Sequence, residues 1–168
     1  MSNLLIVGAG QFGVMVKEIA HSLCRFDKID FIDDNSEMAI GSLDDCERLF
    51  DQYRNAVVAI GDPELREAYT QRLKDIGFDI VSVISPCASV SPSATVMGGA
   101  IIEPLAAVQS HSVISTGTIV SSGAIIRHDA LVGAYCHIDC NSVVMSGSAV
   151  DPGSKVDACS VYHNNKFN

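Results

Sequence analysis

The sequence predicts an α/β unit over residues 1–83 followed by an all-β parallel β-helix over residues 84–168, and three observations carry this. Every sixth residue from Ile84 to Val156 is Ile or Val, thirteen positions of thirteen with no insertion. Four residues after each stands a small one, from Ala88 and Ala94 to Ser154 and Ser160. A strict hexapeptide period marks a parallel β-helix, and neither a 3.6-residue period nor simple alternation places β-branched residues this way. Ahead of the repeat, an apolar run, a glycine turn, a helical pattern, a second apolar run and an acidic pair follow one another. That order is the mononucleotide-binding half of a doubly wound parallel sheet.

In chain order, NLLIV (3–7) reads as a buried strand and GAGQFG (8–13) as the turn behind it. Gly8 allows the tight turn, Gly10 lets the backbone approach a phosphate, and Gly13 lets helix and strand pack closely. VMVKEIAHSL supplies the helix, whose first N–H groups face the turn. The run 29–32 is the second strand and ends in Asp33-Asp34-Asn35. Asp33 and Asp34 either accept from ribose hydroxyls or a base N–H, or form a solvated turn. LDDCERLFDQ (43–52) has amphipathic helical spacing, and AVVAI (56–60) is a third strand ending at Gly61. Asp62 is the expected N-cap of the next helix, with Pro63 at its first position. That helix stops at Gly77. FDIVSVI (78–84) is a fourth strand running directly into the first hexad. The ends of the first three strands, carrying Gly8 to Gly13, Asp33 and Gly61, are expected to converge on one crevice. Arg66, one turn into the helix, either reaches a phosphate there or is a surface charge.

In the solenoid each hexad forms one flat side of a prism, with Ile or Val inward. Chemistry therefore belongs to residues that interrupt the pattern on the outside. His128 and Asp129 sit in the hexad IRHDAL, where equivalent positions are mostly Pro, Ser, Gly or Ala. A neutral imidazole takes a proton from an amine or hydroxyl, and a neighbouring carboxylate holds its tautomer. His137 in VGAYCH is the second candidate, and Tyr135 between them is expected to line the same site. His111 also faces outward, without a carboxylate beside it in sequence.

Composition bounds the function. The chain has 168 residues and a net charge of -9, which argues against a nucleic acid or an anionic membrane surface as its main partner. It starts with no basic region ahead of a long apolar run, and no run approaches the length of a membrane span. Its six cysteines include no C-x-x-C pair, so buried thiols in a reducing cytoplasm are expected and no metal.

With these residues in view, the chain resembles the NeuD-type sugar acyltransferases over nearly its whole length. The carrying stretches are LLIVGAGQFG, FIDDN, AIGD followed by Arg66, SPSATV and IRHDALVGAYCHI. The family includes sialic acid O-acetyltransferases and N-acetyltransferases of UDP- or dTDP-linked 4-amino sugars. The resemblance implies a left-handed β-helix with three hexads per coil, a homotrimer with sites between subunits, acetyl-CoA as donor, and a nucleotide-linked amino sugar as acceptor. It implies that Gly8, Gly10 and Gly13 hold the phosphates, that Asp33 and Asp34 contact base or ribose, and that Gly61 and Asp62 close over the nucleotide. It makes His128 the general base, Asp129 its acidic partner, and His137 a neighbour of the acyl group or coenzyme A. Three features depart from the family pattern. Phe12 stands where a histidine is common, and Asp129 is one methylene shorter than the usual glutamate. The sequence also stops at Asn168, where relatives continue through further coils lining the pantetheine channel, so HNNKFN is expected to act as a polar cap. Two alternatives follow: a shortened member that binds a sugar nucleotide without acyl transfer, and a nicotinamide-dependent oxidoreductase. About 80 residues of nucleotide-binding fold with no usual substrate domain speak against the oxidoreductase.

Overall fold

The computed structural model describes residues 2–164; residues 165–168, which hold most of the expected cap, lie outside them. The N-terminal unit alternates strand and helix: β1 (Asn3–Val7), α1 (Gln11–Ser22), β2 (Lys28–Ile32), α2 (Cys46–Leu49), β3 (Asn55–Val58), α3 (Pro63–Ile76) and β4 (Asp79–Ile80). Its strands form one parallel sheet in the order β2-β1-β3-β4. Side chains alternate across β1, so Leu4 and Ile6 face α1 with Val16 and Ile19. Leu5 and Val7 face the opposite side, with Leu49, Tyr53 and Leu73. A sheet covered on both faces explains why its strands read as continuous apolar runs.

The predicted helix at 43–52 is shorter than expected: a 3₁₀ turn at Leu43–Asp45 leads into α2. Ser42 and Asp45 close a reciprocal cap there, with Ser42 N donating to Asp45 Oδ2 at 2.8 Å. The start of α3 is as expected, with Leu65 N donating to the Asp62 side chain and Gly77 ending the helix in the left-handed region at φ 110°.

FDIVSVI is not one strand. Asp79–Ile80 is β4, paired with β3, while Val83–Ile84 is β5, paired with β8 (Ile101–Ile102) of the solenoid. The chain leaves one sheet and enters another within three residues, which an unbroken apolar run does not reveal. Val83 and Ile101 join the core under α1, so the first coils of the solenoid and the α/β unit share one apolar interior.

From β5 onward the chain is a parallel β-helix of two-residue strands. One side stacks β5, β8, β11 (Ile119–Val120), β14 (His137–Ile138) and β17 (Lys155–Val156). The second stacks β6 (Ser89–Val90), β9 (Ala107–Val108), β12 (Ile125–Ile126), β15 (Val143–Val144) and β18 (Val161–Tyr162). The third stacks β7 (Thr95–Val96), β10 (Val113–Ile114), β13 (Leu131–Val132) and β16 (Ala149–Val150). Partners such as Val120↔Ile138 and Ile126↔Val144 lie 18 residues apart, so three hexads make a coil. The inward Ile and Val of the middle coils are fully buried, and the small residues Ala100, Ala106, Ala124 and Ala130 complete the same core. From Gly99 onward each corner holds a left-handed residue, which produces columns at 18-residue steps. One holds Gly99, Gly117, Tyr135 and Gly153, another Leu105, Gly123, Asn141 and Cys159, and the third His111, Asp129 and Gly147. No described helix is long and apolar enough to cross a membrane.

Candidate active site

In the glycine turn, Gly8 and Gly13 stand where a side chain would clash. Gly8 sits at φ 101°, and a Cβ there would lie 2.8 Å from the Ala59 carbonyl oxygen. A Cβ on Gly13 would lie 2.1 Å from the Gly8 carbonyl oxygen, so the helix approaches the turn more closely than any side chain permits. A Cβ on Gly10 would meet nothing within 4 Å. Gly10 is the N-cap of α1 and has no side chain to satisfy the first-turn N–H groups, which leaves them open to an anion. Gly8 N donates to Ile32 O and Ala59 N to Val7 O, which brings the ends of β1, β2 and β3 together.

Asp33 is built into this turn. Its Oδ2 accepts from Ala9 N and its Oδ1 from Asn35 N, both at 2.8 Å. Asp34 is exposed, and its Oδ1 accepts from Leu43 N at 2.9 Å. Both carboxylates thus fasten loops around the crevice, and each oxygen keeps a second lone pair for a ligand donor.

Arg66 fits neither expectation. It is 1% exposed and fully occupied within the protein. Nη1 donates to the carbonyls of Ile60 and Gly61, both at 2.8 Å, Nε to Gly117 O, and Nη2 to Tyr135 O and Cys136 O. The guanidinium fork ties the end of β3 to two successive coils of the solenoid. It has no free donor to offer a phosphate, and it is no surface charge.

Two clefts receive the candidate histidines. The first, about 250 Å³, lies where Phe12 and Gly61 of the α/β unit meet Glu103, Ser121, His137 and Asp139 of the solenoid. His137 Nε2 is 3.1 Å from Ser121 Oγ, and Asp139 is held by Lys155 Nζ at 3.0 Å and by Cys140 N at 2.8 Å. Burial pushes the His137 imidazole below its usual range, so the ring is a neutral group at neutral pH. Glu103 is nearly buried and is tied down by Ser122 N and Oγ, both at 2.9 Å.

The second cleft, about 530 Å³, opens on the corner after β12 and contains His128, Asp129, His111, Gln109 and Ser91. His128 Nδ1 lies 2.8 Å from Asp129 Oδ2, so the shorter carboxylate does reach its histidine. That hydrogen bond holds the Asp129 carboxyl below the usual carboxylate range. Gln109 Oε1 accepts from His128 N at 3.2 Å, which fixes the backbone of the pair to the coil above. With Nδ1 engaged, Nε2 is the atom of His128 left to handle a proton.

The two histidines do not share a cleft. Tyr135 does not join them either: its ring packs over Gly117, and it lines a groove with Pro63, Glu67 and Pro152. Nine residues separate His128 from His137, half of an 18-residue coil, so they face different sides of the prism.

Comparison with known proteins places this geometry. Residues 3–73 match the model of the PglD N-terminal domain. The acetyltransferase domain of PglB from Neisseria gonorrhoeae, solved with acetyl coenzyme A, is 28% identical. The match covers 95% of this chain and 92% of that one, with a TM-score of 0.82. Another structure of the same domain gives 27% identity over 98% and 93%, with a TM-score of 0.88. The N-terminal unit is thus similar to the PglD N-terminal domain, and nearly the whole chain to the PglB acetyltransferase domain. The fold is also that of a histidine-to-asparagine mutant of perosamine N-acetyltransferase from Caulobacter crescentus, solved with CoA and GDP-perosamine. That protein is 24% identical over 98% of this chain and 90% of that one, with a TM-score of 0.87. No curated protein matches the chain.

Sequence reasoning missed two partners in these clefts. His111 has its carboxylate after all, with Nδ1 3.6 Å from Asp129 Oδ1. Their spacing of 18 residues, one full coil, was the available signal. Ser121 does not stand one coil from His137: the register sets Ile119 opposite His137, and Ser121 lies two residues further on, so its contact is visible only in the structure.

Proposed function

We propose that this protein transfers the acetyl group of acetyl-CoA to the amino group of a nucleotide-linked amino sugar used in surface glycan synthesis. The observation that carries the proposal is the His128–Asp129 pair, 2.8 Å apart on an exposed solenoid corner. Acetyl-CoA supplies the activated acetyl thioester. His128 Nε2 takes the proton that the amine must lose, while Asp129 holds the tautomer and stabilises the imidazolium that forms. The same nitrogen then returns the proton to the departing thiolate, so the site ends as it began. Ser91 and Gln109 line the cleft with hydroxyl and amide groups suited to the amides of a pantetheine arm or to sugar hydroxyls.

The division of the chain follows this reading. Residues 1–83 hold the sugar nucleotide, with its phosphates at Gly8, Gly10 and Gly13, its ribose or base at Asp33 and Asp34, and Gly61 and Asp62 closing over it. Residues 84–168 form a left-handed β-helix that performs acyl transfer, with His137 on the acyl-donor side. The cleft at Phe12 and Gly61 and the cleft at His128 have no lining residue in common. In this reading a homotrimer completes each site with a second copy.

The test is acetyl transfer from acetyl-CoA to GDP-, UDP- and dTDP-linked 4-amino sugars, followed by thiol release and product mass. His128→Ala should lower turnover about 10²–10⁴-fold, the range of a lost general base. Nucleotide binding without coenzyme A binding or transfer would instead favour a member that binds sugar nucleotides without acylating them.

A further inference from the structure

The carboxylate of Asp129 has two histidines, not one. Its Oδ2 bonds His128 on its own coil at 2.8 Å, and its Oδ1 faces His111 Nδ1 from the coil above at 3.6 Å. The fold sets this arrangement: His111 and Asp129 occupy one corner column, both in the left-handed conformation at φ 57° and 60°, and Gly147 takes the next place. Glycine adopts that conformation freely, and Asp and His are among the few other residue types enriched in it. His111 N donates to Ser93 Oγ at 3.3 Å, which holds it to the coil above it in turn.

We propose that His111 is a positioning residue of the His128–Asp129 pair: it shares the Asp129 carboxylate, so that the proton on each histidine depends on the other. This deepens the reading of His128 as general base and rests on that reading for its consequence in catalysis. The physical argument is a count of charges. One carboxylate stabilises one imidazolium well and two poorly, so a proton on His111 offsets the charge that would hold a proton on His128. The shared carboxylate therefore couples the two rings.

Few other groups compete. The neighbours from adjacent coils are uncharged: Ser91, Ser93, Ser110 and Gln109 above, and Gly147 below. The next charge along the chain is the exposed Arg127. The field at Asp129 comes from His128 and His111, and both lower its proton affinity.

The experiment follows the ring signals of the histidines by NMR during a pH titration of the full chain, without substrate. His111→Gly is the first variant, because the corner accepts glycine without strain, as Gly147 does. It should move the midpoint of His128 proton uptake to higher pH, and His128→Gln should do the same for His111. Each displacement should be about 0.2–0.5 pH unit at low salt and shrink as salt is added, as expected for exposed charges. Asp129→Asn should move both midpoints to lower pH. Midpoints that ignore removal of the other ring, or an Asp129→Asn variant that leaves His111 unmoved, would overturn the proposal. Coupled rings without acetyl transfer to any nucleotide sugar would overturn the functional reading alone and leave the shared carboxylate in place.

Discussion

Asp129 meets His128 through one hydrogen bond of 2.8 Å, and the proposed mechanism gives the charge in that bond a measurable role. Asp129→Asn keeps the size of the side chain but offers no negative charge to the imidazolium. It is expected to lower turnover by at least about 10-fold, at the weak end of what an acid–base partner contributes. The steady-state rate of thiol release checks this, and Asp129→Glu should retain most of the activity. His137 makes a different residue-scale prediction. Burial depresses its proton affinity, so below about pH 6.5 the unfolded chain takes up a proton that the folded one resists. Stability should therefore fall as pH drops through the window between the unfolded and folded values. It should show no His137 effect above that window. Asp139 opposes the shift and Lys155 reinforces it, so the slope belongs to the local charge set. His137→Gln should flatten the slope in urea titrations run across that range.

At the scale of elements, the glycine turn separates a structural glycine from an open one. Gly13→Ala would drive a methyl into the Gly8 carbonyl at the crossing of α1 and the turn, where backbone must move. The cost is expected to be about 1–3 kcal/mol, as for overpacking elsewhere. Gly10→Ala meets nothing within 4 Å and has an ordinary backbone conformation, so its stability should stay within about 0.5 kcal/mol of wild type. Its methyl would stand where a phosphate approaches, so nucleotide affinity should fall while the denaturation midpoint does not. Urea denaturation and calorimetric titration with GDP, UDP and dTDP separate the two effects.

At the scale of the whole molecule, Arg66 is the bolt between the two units. It satisfies carbonyls at the end of β3 and on two coils of the solenoid, and all of them lose a donor if it is removed. Arg66→Ala should cost at least about 3 kcal/mol, since each buried acceptor left bare costs about 1–3. Lysine should recover only part of this, because a point charge cannot reproduce a planar fork. The variant should also lose the coincidence between unfolding monitored through the α/β unit and through the solenoid. Fluorescent labels placed separately on the two units would report it. The shared core of Val83 and Ile101 under α1 would still join the units.

The sequence by itself determined the features that depend on neighbours a few residues away. The six-residue Ile/Val repeat specifies which side chains enter the prism, because inward and outward positions follow from the local path of the backbone. The roles of Gly8 and Gly13, the cap at Asp62 and the stop at Gly77 were legible for the same reason. His128 beside Asp129 was legible because the two are adjacent in the chain. The tertiary structure decided what depends on stacking and docking. The coil length brings His111 to Asp129 and sends His137 to a different side from His128. Docking of the α/β unit against the solenoid buries Arg66, and the passage between two sheets splits FDIVSVI into β4 and β5. The six-residue period by itself does not say how many hexads close a coil, and the docking and the sheet crossing depend on where a distant coil or sheet places its backbone, which only the folded chain fixes.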